Sequence, residues 1–413
     1  MTLLCLAIAS LQSGAATIIV VTNTNDSGSG SLRDALTIAT PGDTITFAVE
    51  GTIVLTSGGL AVNKDVIISG PGANLLAISG NGRHRVFSVR GPNVAASISG
   101  LTISNGSGDG GGIWNLLAEL TVNDCIITNN VAERYGGGIY NHAGVGFEAK
   151  ITISNSTIAG NSAPRGGGGG IFNFNSDLEH GGATVVINDC TISGNTAHNG
   201  GGIYNWSEAR RNGSRAATVM VNNSSISGNV ANNSGGGIYN AAFPGPPLFG
   251  IARLIVNNST ISGNSAMLIG GGLFNAAASA TIGQTILKKG SSGQNIYRQS
   301  GTVTSVGYNL TDDNGGGFLN GPDDQINTDP LLGPLQNNGG ATLTHALLPG
   351  SPAIDRGNPS FTPPPDYDQR DCPFDRVFNG RIDVGSFESQ SHPQRPPCSS
   401  PRPRPSPSPR RSQ

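Results

Sequence analysis

The chain has 413 residues, of which 62 are glycine, 12% are charged and 5% are aromatic, so small and polar residues must supply most of its packing. No run of about 18 apolar residues is present, which excludes a transmembrane helix, and the glycines lack the three-residue period of collagen. The last twenty residues hold five arginines and no acid; the remaining body is therefore acidic and is not expected to bind nucleic acid.

Residues 1–16 are interpreted as a secretory signal peptide. The apolar run of residues 1–10 is followed by the small residues of positions 13–16, in the order of an h-region and a cleavage site. No basic residue precedes the run, so a truncated start or a first buried strand remains an alternative. A signal peptide would direct the mature protein to the outside of the cell or to its surface.

Residues 17–308 are predicted to form a repetitive β structure that opens with a short helix. The segment from Ser31 to Leu36 has the pattern of an amphipathic helix, with Ser29 or Ser31 as its N-cap. Such a helix would cap the first coil, whose strand edges would otherwise be exposed.

Two sequence blocks alternate through this region. The first joins three glycines, an aliphatic residue, an aromatic residue and an asparagine, and it occurs six times, at 110–115, 136–141, 168–173, 200–205, 235–240 and 270–275. The second occurs five times, at 120–132, 151–163, 185–197, 219–231 and 254–266. Its aliphatic residues alternate with polar ones on both sides of an Asn-rich bend, which predicts two short strands; the glycine block supplies a third.

Three short strands per repeat and no helical periodicity predict an all-β fold, a right-handed parallel β-helix built from three-stranded coils. The repeat period is 26 to 35 residues, and each strand would pair in parallel with its equivalent in the next coil. The helix formers that a βαβ fold or an ankyrin-like or leucine-rich repeat requires are missing.

Equivalent residues of successive coils should stack about 4.8 Å apart along the axis. One internal column would consist of Ile127, Ile158, Ile192, Ile226 and Ile261. A hydrogen-bonded amide ladder would consist of Asn130, Asn161, Asn195, Asn229 and Asn264. A column with room only for a methyl group would consist of Ala132, Ala163, Ala197, Ala231 and Ala266.

The pairing of Ile-Ser-Gly-Asn with Gly-Gly-Gly-Ile-Tyr-Asn resembles the repeats of bacterial polymorphic outer-membrane proteins and related secreted β-helix proteins. Those repeats carry Gly-Gly-Ala-Ile and Phe-x-x-Asn, whereas here Gly replaces the Ala and Ile replaces the Phe. The stretches 21–35, 329–340, 348–355, 368–370 and 383–388 resemble the same group, although Asp371, after the fourth of them, stands where a glycine is usual. The resemblance covers roughly residues 18–388 and implies a secreted or surface protein, often without a known activity.

Residues 309–390 lack the repeat and are expected to close the far end of the solenoid. Residues 391–413 are rich in Pro, Arg and Ser, which predicts a disordered tail. The tail is interpreted as a solvated chain end, with binding to a cell wall or an anionic surface as the alternative.

Loop length points to the candidate binding surface. The loops that follow the glycine blocks have 4, 9, 11, 13, 13 and 4 residues, so the four long ones would form a ridge along one corner, unless they are neutral insertions. One aromatic residue per coil would point outward beside this ridge, as a sugar-stacking platform or as a covered structural stack. The predicted binding residues are Trp114, Tyr140, Phe172, Tyr204, Tyr239, Phe274, Trp206, Arg210 and Arg211.

Catalysis is the weaker alternative, because pectin-degrading lyases and hydrolases share this fold class. Asp124 and Asp189 occupy equivalent positions two coils apart, a separation of about 9.5 Å that lies at the upper end of the range for an inverting glycosidase. Asn155, Asn223 and Asn258 occupy the same bend position, so a turn role is favoured for both aspartates.

No cofactor or metal is expected, since the histidines do not cluster. Five cysteines are too few and too scattered for a disulfide framework, and a Cys372–Cys398 pair is disfavoured because Cys398 lies in the tail. The sequence therefore predicts a monomeric, secreted or surface β-helix that binds a polysaccharide or another cell-surface ligand. A purely structural spacer is a further alternative.

Overall fold

The computed structural model describes residues 16–144, 146–176, 181–208, 216–243 and 251–390. Through these residues the chain winds as a right-handed parallel β-helix of three-stranded coils, as the repeats predict. Each coil passes in turn through three parallel sheets, here called A, B and C, and the glycine block of each repeat forms the corner that leads into sheet C.

The strands of each sheet follow one another in coil order. Sheet A contains Ile18–Val21, Thr44–Phe47, Ile67–Ser69, Ala95–Ser99, Glu119–Asn123, Ala149–Ser154, Ala183–Asn188, Ala217–Asn222, Ala252–Asn257, Ala278–Gly283 and Gly301–Gly307. Sheet B contains Gly51–Val54, Leu76–Ser79, Thr102–Ser104, Ile126–Thr128, Thr157–Ala159, Thr191–Ser193, Ser225–Ser227, Thr260–Ala266, Ile286–Lys289 and Leu310–Thr311, with a side branch of Ser162–Gly167, Thr196–Asn199 and Val230–Ser234. Sheet C contains Leu60–Val62, Phe87–Arg90, Ile113–Leu116, Ile139–Ala143, Ile171–Asn175, Ile203–Ser207, Ile238–Ala242, Leu273–Ala276 and Ile296–Arg298.

The predicted internal columns are present. Register partners on sheet B align Ile127 with Ile158 and continue coil by coil to Ile261, and the isoleucine side chains of this column are fully buried. The alanines that run from Ala132 to Ala266 are at most 1% exposed. A larger side chain would have no room there, because the interior is already packed.

The predicted amide ladder is also present, and a second ladder accompanies it. In the predicted ladder each Nδ2 from Asn130 to Asn229 donates to Oδ1 of the next coil at 2.8–3.0 Å. In the second ladder the same bond joins the asparagines that end the glycine blocks at 2.7–2.8 Å, and its members are Asn115, Asn141, Asn173, Asn205, Asn240 and Asn275. The two ladders satisfy buried amides that would otherwise cost stability.

Two different structural requirements explain the glycines of each triplet. Its first residue turns the chain in the left-handed region, as at Gly200 with φ 59°. Its third residue lies against the next coil, since a Cβ on Gly202 would be 2.6 Å from the carbonyl oxygen of Gly237. The triplet therefore sets both the corner and the close approach of neighbouring coils.

The N-terminal end is capped by the predicted helix, Leu32–Ile38. Ser31 is its N-cap, and the Ser31 hydroxyl accepts a hydrogen bond from the backbone N–H of Asp34. Leu32, Ala35 and Leu36 are buried against the first coils. The helix thereby covers apolar core that the first coil would leave open.

Only the first part of the C-terminal segment lies at the far end of the solenoid. Phe318 and Leu319, next to a short 3₁₀ helix at Gly315–Gly317, pack on the last coils of the core. From the antiparallel pair Leu332–Gln336 and Thr344–Leu347 onward, the chain instead runs back along the outer face of sheet B. The expectation that residues 309–390 simply close the end was therefore incomplete.

Hydroxyl groups on the outer face of sheet B hold this returning segment. The amide of Gln369 donates to the carbonyl of Cys190 at 3.0 Å and to Thr191 Oγ1 at 3.1 Å, and it accepts from Ser225 Oγ at 2.7 Å. The backbone N–H of Ser386 donates to Thr260 Oγ1 at 3.2 Å. Thr191, Ser225 and Thr260 are consequently buried although their side chains point away from the core.

Candidate functional site

The outer face of sheet C carries a continuous row of aromatic side chains. Strand register places Trp114 beside Tyr140, and the row continues through Phe172, Tyr204, Tyr239, Phe274 and Tyr297. Neighbouring ring centroids lie 4.5–6.3 Å apart, within the range of favourable aromatic contact. The preceding aliphatic residues point inward and are buried, so the rings point outward as strand alternation predicts.

Much of this aromatic row is covered. Tyr140, Phe172 and Phe274 are only 8%, 2% and 4% exposed, and burial raises the pKa of the Tyr140 hydroxyl well above its ordinary value. These three rings do not form a stacking platform in this structure, since a buried ring offers no face to a sugar. The predicted binding residues Trp114, Tyr204, Tyr239 and Trp206 keep part of their surface.

A second set of rings helps to cover the first. His142, Phe174 and Trp206 lie two residues further along the same strands and also face outward. Phe174 lies 5.4 Å from Phe172, and Tyr135 stacks on Phe172 at 4.7 Å. Of these three, only Trp206 is among the predicted binding residues; the position of His142 and Phe174 two residues after the row was a usable signal for them as well.

The long loops all follow sheet C and precede sheet A, so they share one corner as predicted. Their flanking strands end at Ala143, Asn175, Ser207 and Ala242. Residues 145, 177–180, 209–215 and 244–250 lie outside the described part of the chain. The predicted binding residues Arg210 and Arg211 are among them.

A groove of about 430 Å³ lies at the foot of this ridge, on the outer side of sheet A. It is lined by Glu148, Gly182, Thr184, Ala216, Thr218, Ile251 and Arg253. Thr184, Thr218 and Arg253 are register partners on three successive strands. Glu148 lies one coil before these three residues. The groove therefore crosses four coils and is about 14 Å long. It offers hydroxyls, one guanidinium, one carboxylate and an apolar edge to an extended ligand.

Asp124 and Asp189 belong to a column of bend residues. Their φ values of 52° and 55° match those of Asn155, Asn223 and Asn258, at 48–49°. This left-handed conformation favours Asn, Asp and Gly, which explains why the five positions interchange. The turn role that was favoured for both aspartates is the one the backbone requires.

Asp189 is also covered by the returning C-terminal segment. Thr342 Oγ1 donates to its carbonyl oxygen at 3.2 Å, and Asn223 Nδ2 donates to its Oδ1 at 2.7 Å. Burial raises the pKa of Asp189 to about 7, and the nearby Asp371 and Asp368 raise it further, against the lowering effect of the bond from Asn223. Asp124 remains exposed. The two carboxylates therefore do not open onto one common cleft.

The cysteines differ from the expectation at one position. Cys372 takes part in a disulfide, whereas Cys125 and Cys190 are free and buried. Cys398, the partner considered for Cys372 from the sequence and disfavoured, lies outside the described residues.

Comparison with known proteins supports the fold. The model of the Chlamydia polymorphic membrane protein repeat matches residues 124–142 and 189–205, which are corresponding parts of two coils. Pectate lyase Pel9A superimposes with a TM-score of 0.51 at 12% sequence identity, over 91% of this chain and 97% of that one. The chain is a parallel β-helix repeat protein. Curated protein sequences yielded no significant match. Within the described residues, no α-helix is long and apolar enough to span a membrane.

Proposed function

We propose that this β-helix is a monomeric, secreted or surface-displayed protein that binds an extended polysaccharide without cleaving it. The observation that carries the proposal is the groove at the foot of the ridge, because three consecutive coils line it with the register partners Thr184, Thr218 and Arg253, and Glu148 extends it to a fourth coil. A regular groove of this kind suits a ligand that is itself a repeating polymer, and solenoids commonly bind partners along such faces.

Four further observations support a surface or secreted protein that binds a polysaccharide without cleaving it. The matching repeat model is named for a membrane protein of Chlamydia, and the same fold supports a pectate lyase. Disulfides such as the one at Cys372 form and persist mainly in oxidising environments outside the cytosol. The groove itself carries only one described carboxylate, Glu148, whereas most glycosidases require a pair.

Binding of the full chain to a panel of neutral and acidic polysaccharides, measured by isothermal titration, tests this function. We expect at least one polysaccharide to bind and Arg253→Ala to lower its affinity about tenfold, the loss of a charge-assisted hydrogen bond. Arg356→Ala is the matched control, because Arg356 is an exposed arginine of the C-terminal segment, away from the groove. Analysis of the same mixtures for new chain ends checks for cleavage.

The outcomes separate the three classes of function. Cleavage that is lost in Asp124→Ala or Asp189→Ala would establish the lyase or hydrolase alternative. Failure to bind any polysaccharide of the panel would contradict the proposal and favour a structural spacer. Equal affinity of the Arg253→Ala and Arg356→Ala variants would move the binding site away from the groove.

A further inference from the structure

Two guanidinium groups lie against the first ring of the aromatic row. The Cζ atoms of Arg85 and Arg90 are 4.5 and 4.4 Å from the centre of the Trp114 ring, well within cation–π distance. Both arginines come from the coil before Trp114, where Arg90 ends the strand Phe87–Arg90. The loop after Trp114 is one of the short ones, so no long loop of its own coil covers this end of the row.

These arginines keep hydrogen-bond donors unused by the protein. Arg85 donates from Nε and Nη2 to the carbonyl of Asp109 at 2.8 and 2.5 Å, and Arg90 donates from Nε to Ser88 Oγ at 2.7 Å. Among the described residues, Nη1 of Arg85 and both Nη atoms of Arg90 have no partner. The Asp109 carboxylate is engaged elsewhere, since its Oδ1 accepts the backbone N–H groups of Arg134 and Tyr135 at 3.0 Å.

One arginine would be enough to cover the Trp114 ring, so covering it does not explain why two arginines lie there. At the other end of sheet C a single arginine, Arg298, lies over Phe318 at 4.7 Å. Beside Trp114 the two cations repel each other: burial, followed by the charge of Arg90, lowers the pKa of Arg85, against the smaller opposing effect of the Asp109 carboxylate. The indole Nε1 of Trp114 is buried without a hydrogen-bond partner. An anion bound to either guanidinium group would reduce their mutual repulsion.

We propose that Arg85, Arg90 and Trp114 form a subsite for an anionic substituent, a carboxylate or a sulfate ester, of a bound polysaccharide. The two unused Nη groups of Arg90 can donate a pair of hydrogen bonds to such an oxyanion, and Nη1 of Arg85 offers one more donor. The Trp114 ring holds both guanidinium groups beside it. The inference rests on the proposed polysaccharide binding and specifies that the polymer is acidic.

Three polymers with one backbone test this subsite: dextran, carboxymethyl dextran and dextran sulfate of equal length, each titrated into the full chain at low salt. We expect both anionic polymers to bind at least about tenfold tighter than dextran, and Arg90→Gln to remove most of that difference. Arg298→Gln is the control, because it removes the same charge from a similar arginine–aromatic contact in the same sheet. It should leave the affinities within about twofold, since it loses no direct contact with the anion.

The possible results distinguish this subsite from the groove. Equal affinity for dextran and both anionic polymers, or no binding of either anionic polymer, would overturn the subsite. Equal losses in Arg90→Gln and Arg298→Gln would also overturn it, because they would show attraction by net charge alone. Loss of affinity in Arg90→Gln but not in Arg253→Ala would support the subsite and contradict the groove.

Discussion

Asn195 donates from its side-chain Nδ2 to Oδ1 of Asn229 at 2.9 Å, and its backbone N–H donates to the same oxygen at 3.0 Å. Its own Oδ1 accepts the equivalent pair of bonds from Asn161 at 2.9 and 3.0 Å. One fully buried amide thus joins three consecutive coils, and the amide ladder forms a hydrogen-bonded polar column inside an apolar solenoid.

The first prediction concerns this amide ladder. Asn195→Ala should lower the free energy of unfolding by about 3 kcal/mol, because it leaves donors and acceptors of both neighbouring coils buried and unpaired. Asn320→Ala is the control, since Asn320 is exposed, and it should change stability by less than about 0.5 kcal/mol. Denaturant titrations of both variants measure the difference; equal midpoints would contradict the role of the ladder.

The second prediction concerns the pH dependence of stability at Asp189. Its pKa of about 7 lies above the ordinary 3.8, so the folded state favours the protonated acid, and this contribution to stability is lost as the pH rises from about 4 to 7. Asp189→Asn keeps the bend residue used in neighbouring coils and removes the buried charge. We expect the variant to be more stable than the parent by up to about 4 kcal/mol at pH 8 and nearly equal to it at pH 4.

Asp124→Asn provides the control for that experiment, because Asp124 has the same backbone conformation but an exposed side chain. Because this side chain is exposed, Asp124→Asn should stabilise the protein less at pH 8 than Asp189→Asn does. Thermal unfolding at both pH values measures the effect. A gain from Asp189→Asn that is as large at pH 4 as at pH 8 would show that the charge is not its cause.

The third prediction separates structural rings from accessible ones. Phe172 and Phe174 face outward on the same strand, but Phe172 is 2% exposed whereas Phe174 is only half-buried. Phe172→Ala should cost about 3–5 kcal/mol, the usual effect of deleting a buried ring, and Phe174→Ala should cost less than half as much. Equal losses in chemical denaturation would mean that the two rings form one equally buried layer.

The fourth prediction concerns thiol reactivity. In the folded protein Cys372 should resist a maleimide until a reductant is added. Cys125 should stay unlabelled even then, because burial raises the pKa of its thiol to about 12 and thiolate is the reactive form. Peptide mass spectrometry identifies the labelled cysteines. Labelling of Cys372 without reductant would contradict the disulfide and remove one support for an extracellular location.

The repeating part of the fold could be predicted from the sequence because each coil repeats the same evidence. The Ile127 and Asn130 columns follow from spacing alone, since parallel stacking places equivalent residues in contact. The second ladder, which begins at Asn115, had an equally regular signal. Its asparagines end the glycine blocks at a constant position, but the predicted ladder did not include them.

The coverage of sheet B could not be predicted in the same way. Thr191 and Ser225 have the pattern of solvated outward residues, and the amide that buries them, Gln369, is 178 and 144 residues away in sequence. The burial of Asp189 depends on the same segment through Thr342. Contacts between a repeat and a non-repeating segment leave no periodic trace, so only the structure reveals them.

The most direct test of polysaccharide binding in the groove is a substitution that fills the groove and leaves the core unchanged. Thr218 and Thr302 occupy the same outward column of sheet A, but only Thr218 lines the groove. We predict that Thr218→Trp lowers the affinity for the bound polysaccharide at least about tenfold, while Thr302→Trp leaves it unchanged and both variants keep the parent melting temperature. Parental affinity in a correctly folded Thr218→Trp variant would contradict binding in the groove.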